Sequence, residues 1–102
     1  MNNVIPLTAS TTKKIERLVE DPQFHLVHMI FNPDEGLPIH PAHANLYMTV
    51  LSGTLSIQLN DEPLLIVRAK SVVKVPFGTV MNVRNLHPEQ LELLVIKDFP
   101  AA

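Results

Sequence analysis

Nine prolines, at Pro6, Pro22, Pro33, Pro38, Pro41, Pro63, Pro76, Pro88 and Pro100, cut the chain into short segments, and this spacing constrains the fold more than any other feature. Proline lacks an amide hydrogen and disfavours helical geometry in the residue before it, so long helices have little room. The segments between are apolar and rich in β-branched residues. Phe24 to Phe31, Leu46 to Leu51, Thr54 to Leu59, Leu64 to Val67, Val72 to Val75, Thr79 to Val83 and Leu91 to Ile96 each read as a strand. Thr54 to Leu59 alternates, with Leu55, Ile57 and Leu59 on one face and Thr54, Ser56 and Gln58 on the other. Turn chemistry falls between the strands, at Asn60-Asp61-Glu62-Pro63, at Pro76-Phe77-Gly78 and from Asn85 to Glu89. Thr12 to Glu20 is the one candidate helix, but Ile15, Leu18 and Val19 suit a strand equally, and we favour the strand.

Short strands at regular spacing indicate an all-β sandwich or barrel. A length of 102 residues fits a single domain, and a 46% hydrophobic content suffices for one core. We divide the chain into an N-terminal arm or edge strands over 1–23 and a barrel over 24–98. The formal charge is -2, with both signs scattered, which argues against nucleic-acid or membrane binding by bulk electrostatics. The absence of cysteine excludes disulfides, thiolate metal sites and cysteine nucleophiles. No stretch has the pattern of a signal peptide or the length of a membrane span, so the expectation is a cytoplasmic protein.

Two stretches resemble the cupin family. The first runs from Gly36 through His40, His43 and Leu46 to Gly53, and is similar to a motif of a glycine, two histidines, a glutamate and a closing glycine. The second runs from Lys70 to Asn85 and keeps the proline, glycine and asparagine of the second family motif at Pro76, Gly78 and Asn85. The resemblance covers roughly residues 24 to 97 and points to a single-domain, RmlC-like cupin of the conserved-barrel type. It implies a double-stranded β-helix, the cupin jelly-roll barrel. Gly53 and Gly78 have turn roles in this picture, because positive φ is tolerated best by glycine.

In metal-binding cupins three histidines and a glutamate converge on one divalent ion. Counting back from Gly53, the first histidine falls on His40 and the second on Ala42, with His43 one residue late. The glutamate falls on Leu46 and the third histidine on Met81. Residues two apart on a strand share a face, so His40 and His43 point opposite ways unless Pro41 bends the chain. The regular inward set is His40, Ala42, Leu46, Met48 and Val50, joined by Met81.

Two functions follow. In the first, the protein binds a small organic ligand in a pocket lined by His40, Leu46, Met48 and Met81, with His28 reaching in from a neighbouring strand. In the second, it is a metal-dependent enzyme of the oxygenase or isomerase type. His40 and His43 would then hold a divalent transition metal, with Met81 as a soft ligand and Tyr47 or water completing the shell. Whether the chain is an enzyme stays open on the residues alone. His25 and His87 read as surface or satisfied core groups, and Ser52 and Ser71 lack an evident histidine–carboxylate relay. Tyr47, Thr49 and Leu51 form an outward stripe suited to burial between subunits, so a homodimer is expected under either function.

Overall fold

The protein is described by a computed structural model over residues 3–100. Its nine strands are β1 (Lys14–Asp21), β2 (Phe24–Phe31), β3 (His40–Pro41), β4 (Asn45–Ser52), β5 (Thr54–Leu59), β6 (Leu65–Arg68), β7 (Ser71–Val75), β8 (Val80–Arg84) and β9 (Leu91–Asp98). They form a five-stranded sheet in the order β1-β2-β9-β4-β7 and a four-stranded sheet in the order β3-β8-β5-β6. Every pairing within them is antiparallel. The strands foreseen in the sequence form within a residue or two of their expected ends, and the segment from Thr12 to Glu20 becomes strand rather than helix.

Alternation explains which side of each strand is apolar. On β4, Leu46, Met48 and Val50 are buried while Tyr47, Thr49 and Leu51 between them are half-exposed. β9 repeats the pattern with Leu91, Leu93 and Val95 inside, and β5 buries Leu55 and Ile57. These side chains, with Phe31, Val75, Met81 and Val83, make one core between the two sheets. Each large aliphatic side chain so removed from water contributes about 1.5–3 kcal/mol, which is what holds two twisted sheets face to face.

The turns use the residues singled out above. Gly53 joins β4 to β5 with φ at 78°, and Gly78 lies between β7 and β8 with φ at 85°. The Thr79 amide donates to the Pro76 carbonyl at 3.1 Å, closing that turn. Asn60 adopts φ at 53°, and its side-chain oxygen accepts from the Val80 amide at 3.0 Å. Asn85 is fully buried: its side-chain amide donates to the carbonyls of Phe31 (3.0 Å) and Glu89 (2.7 Å) and its oxygen accepts from the His87 amide (3.1 Å). One asparagine thus satisfies three backbone groups, one at the end of β2 and two in the β8–β9 connection.

β1 lies at the edge of the larger sheet, with a bulge between Arg17 and Val19. The chain before it is tied to the same end of the sheet. Asn32 donates to the Thr11 carbonyl and Gln90 to the Ser10 carbonyl, at 3.0 and 2.8 Å, while Lys14 donates to Thr8. β3 has only two residues, and sequence pattern gave no sign of it. It exists because His40 and Pro41 meet Met81 and Val80 of β8, a pairing that tertiary folding creates.

Candidate functional site

Four of the residues selected from the sequence gather at or beneath one end of the barrel. Leu46, Met48 and Met81 are inside it at 3, 1 and 3% exposure, packed in the common core. His40 lies directly across from Met81 in the β3–β8 pair, and cross-strand partners share a face, so it stands above that core on the inner side. The His40 ring is only partly buried, and its Nδ1 lies 2.7 Å from the Pro38 carbonyl oxygen. A carbonyl only accepts, so Nδ1 carries the hydrogen and Nε2 presents a lone pair.

His43 is exposed in the short link between β3 and β4, and its ring centroid is 6.0 Å from that of His40, the planes 33° apart. A regular strand would have sent these two rings to opposite faces. Strand pairing ends at Pro41, and the chain from Ala42 to Ala44 follows no strand geometry. Ala42 is instead held by the opposite loop, donating to the Thr79 carbonyl at 2.8 Å and accepting from Gly78 at 2.9 Å. Asn45 fixes the same loop by accepting from the Phe77 amide at 3.0 Å. Ile39, Phe77 and Val80 are left exposed around this end.

His28 does not join this group. On β2, Val27, Met29 and Phe31 face the core, so His28 and Ile30 face the opposite side of the sheet. Both are nonetheless fully buried there. Nε2 of His28 donates to the Glu92 carboxylate at 2.6 Å, while Nδ1 has no partner. The sequence of Phe24 to Phe31 does not alternate, so only the core contacts of Val27, Met29 and Phe31 reveal that His28 is out of phase with the inward residues. Its assignment to the pocket fails on that parity.

Among the described residues, the metal-binding donor set that the resemblance implies is not assembled. Leu46 and Met81 stand where a carboxylate and a third imidazole would be, and both are packed against apolar neighbours. Among the described residues no group of three or more histidine, cysteine, aspartate or glutamate side chains is placed to hold a metal ion. Two rim imidazoles and a buried thioether do not fit a site built from three imidazoles and a carboxylate.

Sequence reasoning overlooked Lys97. The inward series on β9, Leu91, Leu93 and Val95, continues in phase to Lys97. Lys97 pairs in register with Leu46 on one side and His25 on the other. Its pKa is lowered by partial burial and, second, by the nearby Arg17 guanidinium. The signal that could have found it was available: a lysine ending an otherwise apolar inward face.

No protein-family model matches the chain. An uncharacterized protein of Methanocaldococcus jannaschii, MJ0764, is 26% identical over 86 residues, spanning 84% of this chain and 74% of that protein. The crystal structure of that protein, described as an RmlC-like cupin family protein with a double-stranded β-helix fold, superposes with a TM-score of 0.84 at 25% identity. That superposition covers 87% of this chain and 82% of the other. The cupin domain of Schizosaccharomyces pombe Cnp3 gives the same TM-score at 18% identity, over 96% of this chain and 70% of that one. A conserved Streptococcus pyogenes protein of unknown function gives 0.83 at 18% identity, over 100% and 91%. The chain therefore has the single-domain, double-stranded β-helix fold of the cupin superfamily. Among the described residues it lacks a cluster of metal-ligating side chains, a pattern consistent with a cupin whose metal-binding motifs are degenerate.

Proposed function

We propose that this protein is a binding module for a small organic ligand, seated at the mouth of the barrel rather than deep within it. The observation that carries this reading is the contrast between a filled interior and a polar rim. Leu46, Met48 and Met81 occupy the interior as packed core, and no pocket opens between them among the described residues. Above them, His40 offers an oriented Nε2 acceptor and His43 an exposed ring 6.0 Å away, beside exposed Ile39, Phe77 and Val80. Small-ligand sites combine apolar surface with a few placed polar groups, and the mouth has that composition. The metal-dependent alternative would have to work with two imidazoles where four donors are usual.

Elemental analysis of the purified protein, wild type and His40→Ala, tests the choice. The reading expects no stoichiometric transition metal in either, even after incubation with iron, copper, manganese, nickel or zinc. About one metal per chain, lost on His40→Ala, would overturn it in favour of metal-assisted chemistry.

A second copy of the chain is the partner this reading assigns to the outer face of the five-stranded sheet. Tyr47, Thr49, Leu51, Leu94 and Ile96 form a half-exposed apolar stripe there. Lys74, at 5.9 Å over the Tyr47 ring, lies at one edge of this stripe, and a two-fold axis would lay the same stripe of a second copy against it.

A further inference from the structure

The inner face of the larger sheet carries a group of basic side chains that the barrel core does not cover. His25 and Lys97 are direct cross-strand partners on β2 and β9, and Arg17 of β1 lies opposite Val27, the next residue of β2 on that face. Leu46 adjoins Lys97 from β4, and the Phe99 ring, packed against the core, meets the His25 ring edge-on at 4.6 Å. The carboxylate of Glu20, across from His25, is taken by Arg17 at 3.2 Å. Among the described residues the ion pairs of lysine and arginine are Lys14–Glu16 and Arg17–Glu20, His28 is hydrogen-bonded to Glu92, and none of these contacts includes Lys97. One positive charge is therefore uncompensated on a half-buried surface with an apolar floor.

We propose that Arg17, His25 and Lys97 form the anion subsite of the mouth, and that it takes the carboxylate of a small organic acid whose apolar body lies against the partly buried Phe99. The inference rests on the mouth being a ligand site, and it adds the ligand's class. Charge count favours a monoanion: Glu20 already neutralises Arg17, which leaves one cation for one carboxylate. Burying Lys97 without a counter-ion has a cost that its lowered pKa reflects, and an incoming carboxylate offsets that cost through a charge-assisted hydrogen bond.

Titration of the isotope-labelled full chain with benzoate and with its neutral isostere benzamide, followed by NMR, tests this. Benzoate is expected to shift the Arg17, His25 and Lys97 resonances, and benzamide to leave them in place or bind at least about 10-fold more weakly, a difference of about 1.4 kcal/mol. Lys97→Met, which removes a desolvated charge and keeps the stem, is expected to abolish that preference. Lys70→Met, in the exposed β6–β7 turn, is expected to retain it. Equal binding of both probes at the mouth, indifferent to Lys97→Met, would overturn the anion subsite while leaving the mouth as a ligand site. Inorganic phosphate binding these residues as tightly as benzoate would overturn the assignment to carboxylates. No shift with either aromatic probe at millimolar concentration would overturn the subsite together with the reading beneath it.

Discussion

At the scale of single residues, one fully buried polar group is an imidazole on what ought to be the solvent side of a sheet. His28 has no exposed surface, donates through Nε2 to Glu92, and leaves Nδ1 without a partner. A neutral imidazole tolerates that arrangement, because an unmet lone pair costs less than an unmet N–H. Removing the carboxylate removes the tolerance. Glu92→Ala is expected to lower unfolding free energy by about 1–3 kcal/mol, the usual cost of stranding a buried donor. Urea denaturation of Glu92→Ala beside a His28→Leu/Glu92→Leu pair checks the cause. The double variant, which leaves no donor behind, should lose less than the single one, and a larger loss in the double variant would place the stabilisation in packing instead.

At the scale of elements, the two turn glycines look equivalent in sequence and differ in structure. Both need positive φ, which costs a residue with a side chain about 1–2 kcal/mol. An added Cβ at Gly78 would meet open space. At Gly53 it would overlap the Gln90 carbonyl oxygen and stand 3.0 Å from the Leu91 Cα, because the β4–β5 turn presses against the start of β9. Gly78→Ala should therefore cost only the dihedral strain, and Gly53→Ala about 3 kcal/mol or more, since a backbone neighbour must move. Matched denaturant midpoints for the two variants would show that the close approach to β9 carries no energy.

At the scale of the whole molecule, the outer stripe on the larger sheet is the face on which the proposed second copy would pack. Thr49 lies near its middle, between Val72 of β7 and Leu94 of β9, and plays no part in the core. Thr49→Arg leaves the barrel folded and places a charge where a second copy would pack. Light scattering should give a dimer mass for the wild-type chain at micromolar concentration and a monomer mass for Thr49→Arg. A monomeric wild type would reject the second copy as the occupant of this face.

Much of this architecture was legible in the residues alone. Proline spacing ruled out long helices, period-two alternation marked the inward faces of β4 and β5, and the Pro76, Gly78 and Asn85 pattern located the second motif. These signals are local, since side-chain direction in a strand and the φ demand of a turn depend on a few neighbouring residues. The sequence also showed that the motifs depart from the metal-binding pattern, because Leu46 and Met81 cannot supply a carboxylate or an imidazole. Tertiary structure decided the rest. Pairing of His40 and Pro41 with β8, and the link anchored through Ala42, brought His40 and His43 to one rim. The order β1-β2-β9 set Lys97 beside Arg17 and His25 of the β1–β2 hairpin although Lys97 is far from both along the chain. Which distant strands become neighbours depends on how two whole sheets bury their apolar faces, and no local pattern encodes that choice.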